Sequence, residues 1–229
     1  MANTIEKAYH ELDKFSYSVS HDLRDPLIGV LSAVKMALDL DQVSQIHELL
    51  ALMEGSLTKL DAYIDSLRDY YLLRRGELML SNINFKELFK NIEAFYNMYT
   101  RNKDVEFEIS VHQLEDFNCD KAVLELILHN LLSNSFKYQR KDCENKFVNL
   151  SVSVIDGRAI IRVSDSGIGI STEYISDIFK LFFRASDQAS GMGFGLYNVQ
   201  SALLKLQGTV DVKSEIGLGT TFIVTIASK

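Results

Sequence analysis

The sequence is poor in the residues that build disulfide frameworks and metal clusters. Its 229 residues include two cysteines, Cys119 and Cys143, whose separation fits neither a zinc motif nor a disulfide framework. Two unpaired cysteines are typical of a reducing compartment, so we expect a cytoplasmic location. The sequence also lacks a recognisable signal peptide and an apolar run of membrane-spanning length. We therefore expect a soluble chain with no membrane segment.

Positive charge is also scarce. The chain has 24 lysines and arginines against 31 aspartates and glutamates, which gives a formal charge of -7. Binding to a phosphate backbone requires clustered cationic surface, and no basic stripe is present. These features argue against a nucleic-acid partner. The hydrophobic fraction of 47% is sufficient for a substantial core.

The first 76 residues have the periodicity of two long helices. Residues 3–38 carry apolar side chains three and four apart, and a turn is expected at 39–41, with Asp41 able to cap the next helix. The second helix repeats the spacing at Ile46, Leu50, Met53, Leu57, Leu60, Ile64, Leu67 and Tyr71. Such a hairpin is completed by dimerisation into a four-helix bundle. The alternative is an intramolecular hairpin that packs on the downstream domain.

A polar segment, Ser-His-Asp-Leu-Arg-Asp-Pro-Leu at residues 20–27, interrupts the first helix. His21 lies two residues from Val19 and from Leu23, so at about 100° per residue it faces away from the apolar stripe. Pro26, the single proline of the chain, follows five residues later and is expected to bend the helix. A second domain could reach a histidine exposed in this way. An ordinary solvated helix face is the alternative.

The pattern changes after Arg74-Arg75-Gly76, so we place a domain boundary there, with domains at 1–76 and 77–229. Helices and strands alternate in the second domain, and they predict an α+β sandwich in which a mixed sheet carries helices on one face. Strands are predicted at about 78–83, 105–111, 147–155, 158–164, 209–214 and 220–227. Helices are predicted at about 84–102, 121–138, 172–179 and 195–207, with Phe85, Leu88, Phe89, Ile92, Phe95 and Tyr96 on the inner side of the first.

One helix face of the second domain is unusually polar. Asn130, Asn134 and Lys137 recur at spacings of four and three, which places two amides and one ammonium together. Amide oxygens suit Mg²⁺, and an ammonium suits phosphate. An ordinary polar helix face would show the same spacing.

Two glycine-rich segments complete the pattern. Asp165-Ser166-Gly167-Ile168-Gly169-Ile170 follows a strand directly, where glycines admit a flat ligand and a carboxylate accepts from an exocyclic amine. Gly191-Met192-Gly193-Phe194-Gly195 opens a helix, which favours anion binding at the helix N-terminus. Each segment alone is also compatible with a simple loop. Together with the polar helix face they predict a pocket for a purine nucleoside triphosphate and Mg²⁺.

In content and order these motifs resemble the catalytic core of a sensor histidine kinase. Residues 21–27 are similar to the H box of that family and residues 129–138 to its N box. Three further segments, 165–170, 178–184 and 191–196, match the first glycine box, the F box and the second glycine box. Residues 217–221 resemble the terminal motif that helps to hold adenine. The resemblance implies a histidine kinase ATPase, or Bergerat, fold for the second domain.

The resemblance assigns roles to individual residues. It implies that Asn134 is the principal Mg²⁺ ligand, with a contribution from Asn130, and that Lys137 and Tyr138 face the phosphates and ribose. Asp165 would bind the adenine amino group. The other implied nucleotide-binding residues are Gly167 and Gly169, which admit the ring, Phe179 and Phe182, which anchor a lid at about 184–190, Gly191, Gly193, Gly195 and Leu196 of the second glycine box, and Thr220 and Thr221.

The implied activity is autophosphorylation. A neutral ring nitrogen of His21 would attack the γ-phosphorus of ATP, with Asp22 bonded to the other ring nitrogen. The phosphoryl group would then pass to an aspartate of a response regulator, and a full-length protein could carry sensor domains upstream. The family usually has Thr or Asn four residues after the histidine to support phosphatase activity. This chain has Asp25 there, which predicts weak phosphatase activity.

Two other classes of protein remain open. A degenerate kinase would act as a dimeric docking scaffold, against which the intact set of His21, Asn134, Asp165 and Gly193 argues. An ATPase related to gyrase, mismatch-repair proteins and heat-shock chaperones would share the nucleotide-binding fold. Those proteins place a glutamate where Asn130 stands and lack a histidine-bearing hairpin.

Overall fold

The computed structural model describes residues 23–40, 42–74, 76–100, 105–140, 142–184 and 193–229. Most of the first predicted helix lies outside these residues, as do Asp41 and three site residues, His21, Asp22 and Gly191. The chain divides into two compact units, Met1–Arg68 and Asp69–Lys229. The assignment of residues 1–76 and 77–229 as functional domains stays a prediction.

The first unit contains a helical hairpin. Helix α1 covers residues 23–38, and helix α2 begins at Val43 and extends to Arg74. The two helices approach closely near Gly29, where an added Cβ would lie 3.3 Å from Ser56 Oγ. Glycine and serine therefore permit the contact between the helices. In the described part of the chain, no helix is both long and apolar enough to cross a membrane.

The predicted seam of α2 proves to be two stripes. One stripe is buried or half-buried and consists of Ile46, Leu49, Met53, Ser56, Leu60, Tyr63 and Leu67. The second stripe is exposed and consists of Val43, Leu50, Leu57, Ile64 and Tyr71, seven residues apart. The seam predicted from the sequence takes its residues alternately from the buried stripe and from the exposed stripe. The burial of each side chain separates the two stripes, whereas apolar spacing alone does not distinguish two adjacent rows on one helix.

In the residues that the structure describes, the second unit contains two sheets and three α-helices besides the end of α2. A small sheet pairs β1 (Leu80–Asn82) with β3 (Asn118–Asp120). The larger sheet has the order β2-β4-β5-β7-β6, with a parallel β2–β4 pair and antiparallel pairs elsewhere. Its strands are β2 (Val105–Gln113), β4 (Lys146–Ile155), β5 (Arg158–Asp165), β6 (Thr209–Glu215) and β7 (Gly219–Ala227). The helices are α3 (Phe85–Thr100), α4 (Lys121–Lys137) and α5 (Gly195–Leu206).

The core lies between the larger sheet and these helices. Alternate residues of β4 and β5 are buried, as expected for strands with one covered face. Helices α4 and α5 pack against each other and against the sheet, and Leu72 and Leu73 at the end of α2 join the same core. The predicted mixed sheet and α+β sandwich are confirmed.

Local sequence signals explain several element boundaries. Asn84 Oδ1 accepts a hydrogen bond from the Glu87 N–H at 3.1 Å and so caps α3. Asp156 and Gly157 both have positive φ, as a two-residue hairpin turn between β4 and β5 requires. Two expectations were wrong. The predicted helix at 172–179 is a single 3₁₀ turn at Thr172–Tyr174, and Phe95 is exposed.

Candidate functional site

Helix α4 is anchored at its first turn by Asp120. One carboxylate oxygen of Asp120 accepts from the Val123 N–H at 3.2 Å, and the other accepts from the Met79 N–H at 2.8 Å. The side chain thus caps α4 and ties it to the segment that leads into β1. This anchoring fixes the start of the helix that carries the polar face predicted from the sequence.

The amides of α4 meet the start of α5. Asn130 Nδ2 donates to the carbonyl oxygen of Leu126 at 2.9 Å, which fixes the orientation of its amide. A Cβ added to Gly195 would lie 2.9 Å from Asn130 Oδ1 and 3.9 Å from Asn134 Nδ2. Glycine at this position therefore allows the N-terminus of α5 to approach both asparagines. Two segments 61 to 65 residues apart in sequence form one site.

The N-terminus of α5 has no side-chain cap. Phe194 occupies the N-cap position, and its side chain makes no capping hydrogen bond. The N-cap side chain therefore leaves the first-turn amides of α5 unsatisfied. Phe194 is buried and its ring packs edge-on against Phe182 at 5.1 Å between centroids. The Phe182 N–H donates to the Gly193 carbonyl at 3.2 Å. The F box thereby holds the entry to α5 in a position where its amides suit an anion.

Cationic groups gather at the end of α4. Lys137 Nζ lies 5.0 Å from the centre of the Tyr138 ring. Desolvation and, to a smaller extent, the positive charge of Arg184 lower the pKa of Lys137 to about 8. Burial raises the pKa of Tyr138, while Arg184 acts in the opposite direction. Lys137 and Arg184 are therefore close enough to repel each other, and a bound polyanion would relieve that repulsion.

Asp165, at the end of β5, is a buried carboxylate with three hydrogen-bond donors. The Gly167 N–H donates to Oδ1 at 2.9 Å, and Ser135 Oγ donates to Oδ2 at 3.0 Å. The backbone N–H of Thr220 also donates to the carboxylate. Burial raises the pKa of Asp165, and the bonds from Gly167, Ser135 and Thr220 oppose this shift. The site therefore holds a carboxylate that is 8% exposed and has defined acceptor geometry.

The loop after Asp165 lies against the turn between β6 and β7. An added Cβ at Gly167 would lie 2.6 Å from the Tyr138 carbonyl oxygen, and one at Gly169 would overlap the Glu215 carbonyl oxygen. The hydroxyl of Ser214 accepts from the Ile170 N–H at 2.8 Å and lies 2.8 Å from Thr220 Oγ1. Backbone contacts and a shared hydroxyl thus fix the floor of the site.

Three more of the expected site residues have contacts of another kind, and their part in nucleotide binding stays a prediction. Thr221 pairs with Ser164, their hydroxyl oxygens being 2.9 Å apart. Successive strand residues point to opposite faces, so Thr220 and not Thr221 shares the face of Asp165. Phe179 and Leu196 are half-buried and pack against the core. The structure gives these two residues a packing role beside the site.

The arrangement suits a nucleotide. The buried carboxylate of Asp165 can accept from an amino group on a base, while the α5 N-terminus and the cations Lys137 and Arg184 suit phosphates. In the part of the chain that the structure describes, no three His, Cys, Asp or Glu side chains are grouped to hold a metal ion. Two amide oxygens fit Mg²⁺, because this ion uses few protein ligands and completes its shell with phosphates and water.

Two participants in the site are not evident from the sequence. The sequence gives no sign of Ser135, because a small polar residue on a helix predicts no particular role. It indicates Arg184 as the beginning of a lid and not as a binding residue. Its position in the F box, beside the predicted lid, was the available signal. Ser135 contacts Asp165 directly, and Arg184 acts on the charge of Lys137.

Comparison with known proteins shows a family match in the second unit. Residues 119–229 match the family described as histidine kinase-, DNA gyrase B-, and HSP90-like ATPase. The matched residues include helices α4 and α5, the four strands β4 to β7 and the glycine-rich loops of the candidate site.

Other comparisons extend over nearly the whole chain. The autoinducer 2 sensor kinase/phosphatase LuxQ of Vibrio parahaemolyticus is 26% identical over 235 residues, with 98% of this chain and 27% of LuxQ aligned. The structure of ShkA in complex with AMPPNP has a TM-score of 0.67 and 26% identity, covering 93% of this chain and 46% of ShkA. The histidine kinase ThkA in complex with the response regulator TrrA has a TM-score of 0.73 and 16% identity, covering 98% of this chain and 64% of ThkA.

These similarities support a histidine kinase catalytic and ATPase core, to which the chain is similar over nearly its whole length. The chain spans about 27% to 36% of the length of three curated relatives that it matches.

Proposed function

We propose that the chain binds Mg²⁺ and ATP in the second unit, transfers the γ-phosphoryl group to His21, and passes it to an aspartate of a response regulator. The observation that carries this proposal is the convergence of Asn130, Asn134 and Gly195 beside the cations at the end of α4. A buried carboxylate on the base side and uncapped amides on the phosphate side fit the two ends of one nucleotide.

The residues of the second unit would divide the work of binding. Asp165 would accept a hydrogen bond from the adenine amino group, and the first-turn amides of α5 would bind phosphate oxygens. Asn134 and Asn130 would hold Mg²⁺, which neutralises phosphate charge when bound. Lys137 would stabilise charge on the transferring group, since phosphoryl transfer depends mainly on positioning and electrostatics.

The nucleophile would be a neutral ring nitrogen of His21. Asp22 would accept a hydrogen bond from the other ring nitrogen and take up its proton as the phosphoramidate forms. The bond from γ-phosphorus to the bridging oxygen breaks, and ADP leaves with those electrons. A phosphoramidate is labile, which suits relay to a partner's carboxylate.

Incubation with ATP labelled on the γ-phosphate tests the proposal. We expect label on the protein that is lost in acid and stable in alkali, as a phosphohistidine requires. A scaffold without kinase activity would bind nucleotide at most and stay unlabelled. A hydrolytic ATPase would release labelled phosphate without labelling the chain. Either result would contradict autophosphorylation.

The affinity for ATP is expected to fall as the pH rises through about 8. Desolvation and Arg184 lower the pKa of the Lys137 ammonium to about 8, so its charge is present below that pH and lost above it. Losing one charged phosphate contact should weaken binding roughly tenfold. Calorimetry between pH 7 and pH 9.5 measures this change. Lys137→Arg is the control, because a guanidinium stays protonated. Equal slopes for both proteins would contradict the role of Lys137.

We also propose that phosphatase activity toward the response regulator is weak. Asp25 is an exposed residue of α1, four positions after His21. Its carboxylate would repel both a phosphoryl group and the acidic pocket of a receiver domain. Wild type should therefore barely accelerate loss of label from a phosphorylated receiver, whereas Asp25→Asn should accelerate it. Rapid dephosphorylation by wild type that disappears in Asp25 or His21 variants would overturn this proposal.

The exposed stripe of the hairpin supports homodimerisation. Val43, Leu50, Leu57, Ile64 and Tyr71 expose apolar side chains at heptad spacing along α2. Helix α1 adds a second exposed row, Leu27, Leu31, Val34 and Leu38. A second copy of the hairpin offers the complementary rows, which together would form a four-helix bundle. We propose this bundle as the dimer interface.

Leu57→Glu is expected to convert the dimer to a monomer. Leu57 is in the middle of the exposed stripe, where a carboxylate would be buried in the dimer without a partner. Leu52→Glu is the matched control, because Leu52 is another exposed leucine of the same helix and lies about 140° around it from Leu57. Light scattering should show a monomer for Leu57→Glu and a dimer for Leu52→Glu. A wild-type monomer would instead support an intramolecular arrangement of the hairpin.

A further inference from the structure

Ser135 is placed to act on the carboxylate that faces the base. It follows Asn134 on α4 but points into the protein, where 2% of its surface is exposed. Its hydroxyl donates to Asp165 Oδ2 at 3.0 Å. The other oxygen, Oδ1, accepts from the Gly167 N–H at 2.9 Å. Because each oxygen has a different donor, the carboxylate cannot rotate without losing a hydrogen bond.

The ionised form of Asp165 also depends on these donors. An amino group on a purine donates its hydrogen, so the facing group must be an acceptor. Burial raises the pKa of Asp165 and thus favours the protonated acid, which can present a donor instead. The bonds from Gly167, Ser135 and Thr220 favour the carboxylate. Ser135 is the one side chain among these three donors, since the other two act through backbone N–H groups.

The surrounding structure does not depend on the Ser135 hydroxyl alone. The Ser135 carbonyl accepts from Gln139 Nε2 at 2.8 Å. Gln139 Oε1 in turn accepts from Ser166 Oγ at 3.1 Å, which links the end of α4 to the loop after Asp165. These bonds involve the backbone of Ser135 or other side chains. A Ser135→Ala variant should therefore retain the local fold and lose one donor to Asp165.

We infer that Ser135 is a positioning residue that holds the Asp165 carboxylate ready to accept from a 6-amino group, and so sets the preference of the site for adenine nucleotides. The two oxygens of Asp165 together offer about four lone pairs for three existing donors, so the carboxylate can accept this further bond while all three donors remain. The inference rests on the proposed binding of ATP. To that proposal it adds Ser135 as the residue that favours adenine over other bases by holding Asp165 in place.

A comparison of two nucleotides separates positioning from general stability. ATP carries the 6-amino group, whereas purine riboside triphosphate has hydrogen at that position and is otherwise alike. The dissociation constants of both are measured for wild type, Ser135→Ala, Ser135→Thr and Asp165→Asn. The ratio of the two constants reports the contribution of the 6-amino group.

We expect Ser135→Ala to weaken ATP binding about tenfold and to leave binding of the purine analogue unchanged within about twofold. Ser135→Thr restores the hydroxyl and should recover most of the preference. Asp165→Asn should reduce the preference further than Ser135→Ala does.

Two results would overturn the inference while leaving ATP binding intact. Equal weakening of both nucleotides in Ser135→Ala would show a purely structural role, and unchanged dissociation constants for both would show no role. Wild-type protein that binds neither nucleotide would overturn the proposed function and this inference together.

Discussion

Replacing His21 with glutamine is expected to reduce the incorporation of acid-labile phosphate from ATP to background. Glutamine preserves a polar side chain of similar reach, but its amide nitrogen is not nucleophilic because its lone pair is delocalised into the carbonyl. Without the ring nitrogen no bond to the γ-phosphorus can form, so the loss should be complete. Electrophoresis of the protein after incubation with γ-labelled ATP measures the effect.

Two controls make this result specific. ATP should bind His21→Gln and wild type equally, since the residues that form the candidate site all lie between Asn130 and Thr220. His47→Gln removes another histidine, exposed on α2, and should leave labelling unchanged. Label that persists in His21→Gln would assign phosphorylation to another residue. Loss of ATP binding in the same variant would show that the substitution acts through structure.

The sequence predicted those elements whose signals are local. The hairpin between β4 and β5 follows from alternating apolar residues around Asp156-Gly157, and the start of α3 follows from Asn84. The polar face of α4 also follows from spacing alone. In each case a few neighbouring residues determine the backbone, so their pattern is visible without knowledge of the partners.

The features that the sequence did not predict, or predicted wrongly, depend on distant contacts. Strand β3 was not predicted, because its three residues form a strand only through their pairing with β1, about 38 residues earlier. The segment after Tyr174 has helical periodicity but forms turns, and Phe182 there has a φ of 64° while its ring packs against Phe194. Phe95 was expected in the core, yet it is exposed and its ring lies edge-on to His129. Tertiary packing determines each of these outcomes.

The candidate site shows the same division. The glycine-rich segments and the paired asparagines predicted a nucleotide site, because few other sites need these residue types in this order. The sequence could not show that Gly195 lies against Asn130 or that Ser135 donates to Asp165. It also could not separate Thr220 from Thr221, since the choice depends on strand register.

Replacing Gly219 with alanine is expected to abolish ATP binding and to destabilise the second unit. Gly219 has a φ of 116°, and a Cβ there would overlap the carbonyl oxygen of Asp165. Both atoms belong to paired strands, so no flexible side chain can move aside. Relief requires β7 to separate from β5 at the Asp165–Thr220 pair, where Thr220 donates to the Asp165 carboxylate. We expect a loss of roughly 3 kcal/mol or more in the free energy of unfolding.

Gly217→Ala provides the matched control for Gly219→Ala. Gly217 lies in the same turn and has a φ of 80°, but the nearest atom to an added Cβ is Arg140 Nη1 at 4.0 Å. Alanine there costs only the left-handed backbone conformation, about 1 kcal/mol. Thermal unfolding with and without ATP measures both effects, because bound ligand raises the midpoint. Gly217→Ala should keep the rise that ATP causes, and Gly219→Ala should lose it. The φ of Gly219 lies further outside the left-handed region than that of Gly217, so the difference between the variants reports this backbone strain together with the close approach of β7 to Asp165. Equal behaviour of the two variants would show that the close approach is not required for binding.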